Sequence, residues 1–187
     1  MKSFLRHLRD LARHPIPVQQ PDEIYLPALD ELWNVTYRKT DSRSVQARSN
    51  GNGMLMVSGR VEDGSKVLLA LRRWLVRKAR GALVPWLNEL SVQSGLPYSS
   101  VAVRGQRTRW ASCSSRGNIN LNFRLLFLSP DVVRYIMHHE LCHTLHLNHS
   151  RAFWSQVASL EPDYRVFNNQ AKKGMETVPE WAKGRDW

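Results

Sequence analysis

Residues 129–149 read SPDVVRYIMHHELCHTLHLNH, and the order of polar and apolar positions in this stretch decides the expected fold. Ser129 offers a hydroxyl for an N-cap, Pro130 lacks only an N–H that the first helical turn leaves unpaired, and Asp131 puts an acid at the positive end of the helix dipole. A helix is expected to start there. Val132, Val133, Ile136, Met137 and Leu141 recur at helical spacing, so this face packs on a core while the histidines project into a cleft. Positions four apart share a face at about 3.6 residues per turn, which lets His139 and His143 aim at one metal ion with Glu140 beside it.

Zinc in a catalytic site takes three protein ligands and keeps one position open. On a straight continuation of the helix, His146 stands about 10.5 Å along the axis from His139, too far for bonds of roughly 2.1 Å to one ion. Ending the helix near Leu147-Asn148 lets the chain turn back, since asparagine tolerates the left-handed region, and this makes His149 the third ligand. Glu140 then reads as a general base that takes a proton from a zinc-activated water and later passes it to the leaving group. Three imidazoles also accept nickel, cobalt or copper; one zinc ion is the expected cofactor.

The run Arg109-Trp110-Ala111-Ser112-Cys113-Ser114-Ser115-Arg116-Gly117-Asn118-Ile119-Asn120-Leu121-Asn122 precedes this stretch, and Asn148-His149-Ser150 and Phe153-Trp154 close it. Together these segments resemble the YgjP-like metallopeptidase-domain family, a relative of the SprT-like zincins, over roughly residues 22–175. The resemblance implies an α+β, minimal zincin-like metalloprotease fold with an HExxH active-site helix. It also implies His139, His143 and His149 as zinc ligands and Glu140 as the catalytic acid/base. Ala111 departs from the glycine usual at its position, and no downstream cysteine cluster resembles the zinc ribbon of many SprT-like proteins. The spacing from His143 to His149 also equals that of the metzincins, but His146 stands where their turn glycine belongs and Met175 has no Met-turn context.

Composition keeps the chain among soluble globular proteins: 187 residues, 42% hydrophobic and 23% charged, suffice for one domain with its own core. Cys113 and Cys142 are the only two cysteines, which excludes a disulfide framework and a cysteine-built zinc site and points to a reducing cytoplasm. Cys142 is expected to be a small buried hydrophobe. Residues 1–21 read as a basic helix or tail and a linker. Arg6, Arg9, Asp10 and Arg13 interrupt the stripe of Phe4, Leu5, Leu8 and Leu11, which excludes a signal peptide or membrane span, and Pro15, Pro17 and Pro21 mark the linker. A single domain is expected over 22–175, strand-rich over 22–62 and catalytic over 63–175, with a tail at 176–187.

In the strand-rich part, Trp33, Val35 and Tyr37 alternate as in a half-buried strand, Val45 and Ala47 suggest its neighbour, and Asn50-Gly51-Asn52-Gly53 turns into Met54–Val57. An antiparallel subregion is expected. Glu62-Asp63-Gly64-Ser65 opens a helical stretch over 66–94, which Pro85 is expected to kink or divide. Residues 99–104, 109–113 and 118–122 read as strands, the last two a hairpin around Ser114–Gly117. This hairpin is the candidate edge for pairing with an extended peptide, with Trp110 and Asn122 as possible cleft residues, and Phe153 and Trp154 are expected to pack the next helix on the histidine helix.

Positive charge is the second informative feature, 27 Lys and Arg against 16 Asp and Glu. It gathers at Lys66, Arg72, Arg73, Arg77, Lys78 and Arg80, and at Arg104, Arg107, Arg109, Arg116 and Arg124. Such clusters suit phosphates of a nucleic acid or nucleotide, or simply form a solvated face. Three function classes follow. A zinc peptidase acting on a protein or peptide leads, ahead of a nucleoside triphosphate pyrophosphohydrolase and of a nucleic-acid-binding module with structural zinc. No glycine-rich phosphate loop or set of carboxylate ligands supports the second, and Glu140 beside an open coordination position argues against the third.

Overall fold

The computed structural model describes residues 20–184, so the amphipathic stretch before Pro15 and the linker residues Pro15 and Pro17 lie outside the described residues. Two small sheets and five helices make a mixed α/β architecture among the described residues. The first sheet holds β1 (Glu23–Leu26), β2 (Glu31–Lys39), β3 (Gln46–Ser49) and β4 (Met54–Gly59) in the order β1-β2-β4-β3. It corrects the expectation of an antiparallel subregion, because β4 pairs parallel to β2, with Val35 opposite Leu55. The neighbour suggested for β2, β3, pairs instead with β4. Burial accounts for the order: Leu55 and Val57 of β4 are fully buried, whereas β3 buries Ala47 alone, so the apolar strand takes the interior and the polar one the edge.

A single helix, α1 (Gly64–Ser94), follows. The Asp63 carboxylate caps it by accepting from the Lys66 backbone N–H, and Gly95 ends it at φ +67°. Pro85 does not divide it. The ring lies on the exposed face, where the carbonyl deprived of a partner can turn to water, while Leu83, Leu87 and Leu90 hold both flanking turns in the core. Although α1 is 31 residues long, no helix among the described residues is long and apolar enough to cross a membrane.

The second sheet, in the order β5-β7-β6, comprises β5 (Ser100–Arg104), β6 (Ala111–Cys113) and β7 (Asn118–Asn122). β6 and β7 form the expected hairpin, closed by Gly117 N–H donating to Ser114 O, with Gly117 at φ +71°. β6 is thereby an edge. A 3-10 stretch, Phe123–Phe127, carries the chain to α2 (Pro130–Cys142), and α3 (Arg151–Leu160), α4 (Tyr164–Lys173) and α5 (Glu180–Lys183) follow. α1 lies against both sheets and the 3-10 stretch, while α2 packs on β6, α3 and α4.

Several of the basic residues make structural contacts. Arg124 is only 2% exposed: its Nε donates to Ala182 O (2.8 Å), Nη1 to Gln106 O (2.9 Å) and Nη2 to Gly184 O (3.0 Å). On α1, Arg72 Nε donates to Trp181 O, Arg77 Nη2 to Ala47 O, and Lys78 pairs with Glu31 at 2.7 Å. These cations tie α1 and the core to neighbouring elements. The segment after residue 175 buries Val178, Trp181 and Ala182 in the core.

Candidate metal centre

α2 starts and ends on polar residues whose roles differ from expectation. Ser129 is the N-cap residue, yet its hydroxyl makes no capping bond; only its carbonyl is used, accepting from Val133 N–H. The helix ends at Cys142 with His143 as its C-cap, several residues before Leu147-Asn148. There the bonds tighten to the 3-10 pattern, from His143 N to Glu140 O and from Thr144 N to Leu141 O, and the Thr144 hydroxyl donates to Leu141 O as well. Asn148 is not left-handed, since Asp30 is the only non-glycine residue with positive φ among the described residues. The reversal is made instead by the tight turn and by Ser150, whose Oγ accepts from Phe153 N–H and starts α3.

This early ending brings His139, His143 and His149 together. One ring nitrogen from each lies within 4.8 Å of the others, and the Nε2 atoms of His139 and His149 are 3.1 Å apart. Two nitrogens on one tetrahedral zinc at bonds of about 2.0–2.1 Å would stand about 3.4 Å apart, so the spacing fits a shared ion with little movement. His143 Nδ1 donates to His146 O at 2.8 Å, which leaves the His143 Nε2 lone pair free. His146 thus contributes a carbonyl, and its ring stays out of the cluster. Burial, then His143 and His149, hold His139 down at about 3, and burial also lowers His143 against the opposing pull of the His146 carbonyl. His139 and His143 are therefore neutral donors near pH 7, the state a cation requires.

Aromatic rings fix these imidazoles. Phe153, fully buried, stacks on His143 (centroids 4.5 Å apart, 26° between planes) and meets His139 and His149 edge-on at 4.9 and 4.8 Å. Trp154 stacks on His149 at 5.5 Å and on Tyr164 at 5.3 Å. The helix-packing role expected of Phe153 and Trp154 is thus joined to that of a wall around the histidines. A second set of contacts pins α2 from behind: the buried carboxylate of Glu161 accepts from Arg134 Nε (2.7 Å) and Nη2 (3.1 Å) and meets His138 Nδ1 at 2.9 Å.

Glu140 lies at the inner end of a cleft of about 600 Å³, buried beside His139. Burial raises its carboxyl to about 7, opposed by the Cys113 backbone N–H and by Arg109. One wall of the cleft is Arg107–Ala111, which leads into β6, and the other is Asn168, Ala171, Lys172 and Met175. Trp110 joins the walls by donating its indole N–H to Ala171 O at 2.8 Å. Gly174 admits this contact, because a Cβ there would come within 2.6 Å of Leu128 Cδ2 and 3.1 Å of Trp110 Cζ2. Asn122 is fully buried outside the cleft, where its Nδ2 donates to Gln106 O and Arg109 O and so holds the loop before β6. Sequence reasoning overlooked Tyr135, whose place one helical turn before His139 was a usable signal, and Asn168 and Lys172, for which no local signal exists.

Over residues 1–173 the chain matches the family described as YgjP-like, metallopeptidase domain. No curated protein matches it. Among solved structures, the crystal structure of the metallopeptidase zymogen of Pyrococcus abyssi abylysin is similar at 24% identity and a TM-score of 0.44, covering 48% of this chain and 91% of that one.

Proposed function

This chain belongs to the YgjP-like metallopeptidase-domain family, and from that membership together with its histidine cluster we propose that it is a zinc-dependent peptidase of zincin-like fold, with α2 as the active-site helix. The observation that carries the reading is the convergence of three imidazoles next to a buried carboxylate, at the inner end of a cleft that runs beside an open strand edge. His139, His143 and His149 would hold one zinc ion, and Glu140 is the general base. When bound, zinc would polarise a peptide carbonyl and make water more acidic.

The remaining chemistry belongs to side chains and backbone. A Glu140 carboxylate oxygen accepts the proton of the attacking water and delivers it to the departing amine nitrogen. Burial suits this role, since it raises the proton affinity of the carboxylate towards neutrality. The outer edge of β6, apart from the Cys113 N–H that the Glu140 carboxyl takes, offers backbone groups to an extended peptide, and Trp110 ties that edge to α4. The free thiols Cys113 and Cys142 accord with a reducing compartment, and we place the protein in the cytoplasm and treat residues 22–175 as one domain.

A second reading, hydrolysis of a nucleoside triphosphate to release pyrophosphate, draws on Arg107, Arg109 and Lys172 around the cleft. Zinc-loaded protein and its Glu140→Gln variant, assayed on a mixed peptide library and on nucleoside triphosphates, separate the two. Peptide cleavage that disappears in the variant while one zinc per chain is retained is the expected result. Glu140-dependent pyrophosphate release with intact peptides would replace the peptidase reading by the second.

A further inference from the structure

The cleft ending at Glu140 has a rim of one charge. Arg107 and Arg109 stand on the strand-side wall and Lys172 on the α4 side, and all three are exposed. None of them takes part in the ion pairs formed among the described residues, whereas Lys39, Lys66, Lys78, Arg134 and Lys183 each meet a carboxylate. Glu140 is the only acid lining the cleft, and it sits at the inner end. Thr108 and Asn168 add neutral hydrogen-bonding groups, and Trp110 and Met175 supply an apolar surface.

Three exposed cations, of which Arg109 alone feels an acid, Glu140, repel one another, and an anion bound between them relieves that repulsion while it gains charge-assisted hydrogen bonds. The two guanidinium groups can each grip a carboxylate through two nitrogens, and the lysine on the opposite wall adds a point charge. A peptide laid along β6 presents alternate side chains to the same side, so a residue close to the reacting carbonyl would face this rim. We propose that the cleft is a carboxylate-binding subsite formed by Arg107, Arg109 and Lys172, which directs cleavage to bonds next to an acidic side chain or near a free C-terminal carboxylate. This rests on the peptidase reading and names its substrate class.

The test starts from the peptide cleaved best in the library and varies one position beside the scissile bond among Glu, Gln and Lys, each with an amidated and a free C-terminus. Two quantities are read: kcat/KM with zinc-loaded wild type, and the affinity of a fluorescent copy for the zinc-loaded Glu140→Gln variant, which needs no turnover. At low salt the expected preference for Glu over Gln, or for the free over the amidated terminus, is about tenfold in both quantities, and it shrinks as salt is added. The Arg107→Ala/Arg109→Ala/Lys172→Ala variant should bring that ratio to about one.

A preference that survives amidation assigns the subsite to a side-chain carboxylate, and one confined to free termini assigns it to the terminal carboxylate. Equal values for Glu and Gln peptides together with equal values for free and amidated termini would overturn the proposal, as would a preference that persists in the triple variant. Tighter binding of a nucleoside triphosphate with no discrimination among peptides would overturn it as well. If no peptide is cleaved, the peptidase reading fails by itself; the affinity measurements, made then on acidic and neutral members of the library, still decide whether the rim selects carboxylates.

Discussion

Phe153→Leu tests whether packing sets the position of the imidazoles. The Phe153 ring is fully buried and lies 4.5, 4.9 and 4.8 Å from the rings of His143, His139 and His149. Truncation to alanine would cost about 3–5 kcal/mol through lost transfer free energy and a cavity. Leucine keeps most of the apolar volume and gives up the ring contacts, worth about 0.5–1.5 kcal/mol apiece in isolation and less together, so Phe153→Leu should destabilise the fold by about 2 kcal/mol. Because all three histidines lean on this ring, zinc affinity should fall about tenfold or more, the lower end of what outer-shell changes do at metal sites. Urea unfolding of the metal-free protein gives the first quantity as a shift in midpoint at unchanged slope, and competition with a chromophoric chelator gives the second. Wild-type zinc affinity alongside the expected loss of stability would refute the claim that Phe153 holds the imidazoles in place.

Further changes address the ligands and the charge state of the site. His149→Ala should weaken zinc binding by at least about 100-fold, whereas His146→Ala should leave it nearly unchanged, because residue 146 acts through a carbonyl that alanine retains; equal losses in a chelator titration would undo the assignment of His149. Stability of the metal-free protein should depend on pH in two opposed ways. His139 titrates near 3 when folded against an ordinary 6.5, so the unfolded chain takes its proton first and stability is lost as pH falls from 6.5 towards 3. Glu140, raised from 4.5 to about 7, is protonated first in the folded state, so its contribution is present below 4.5 and is lost as pH rises through 7. The Glu140→Gln protein should therefore be more stable than wild type at pH 8 and lose that advantage below pH 4.5. A difference in urea midpoint that does not vary with pH would contradict it.

Much of this was legible because the signals are local. The Asp63 cap and the apolar period of α1, the turn that Gly117 closes, and the spacings from His139 to His143 and His149 all lie within short stretches of chain. What escaped depends on distant partners. Nothing near β2 says that its neighbour is the parallel β4, a choice made by how deeply Leu55 and Val57 are buried. The end of α2 was misplaced because it follows from the tight turn and from the bond between the His143 ring and His146 O, neither of which periodicity encodes. Arg124 looked like part of a basic surface because the carbonyls that solvate its charge, at Gln106, Ala182 and Gly184, come from other segments. Lys172 faces Arg107 and Arg109 only after α4 has folded across the cleft.

The clamp formed by Arg124 has a dynamic consequence. One guanidinium holds the loop that enters the cleft wall, through Gln106 O, and the last described turn of the chain, through Ala182 O and Gly184 O. Pulling away either segment leaves part of a buried cation unsolvated, a penalty that the other segment then feels. The two therefore share an opening free energy and behave as one cooperative unit, so that the mobility of the cleft rim is governed in part by the segment around Ala182 and Gly184.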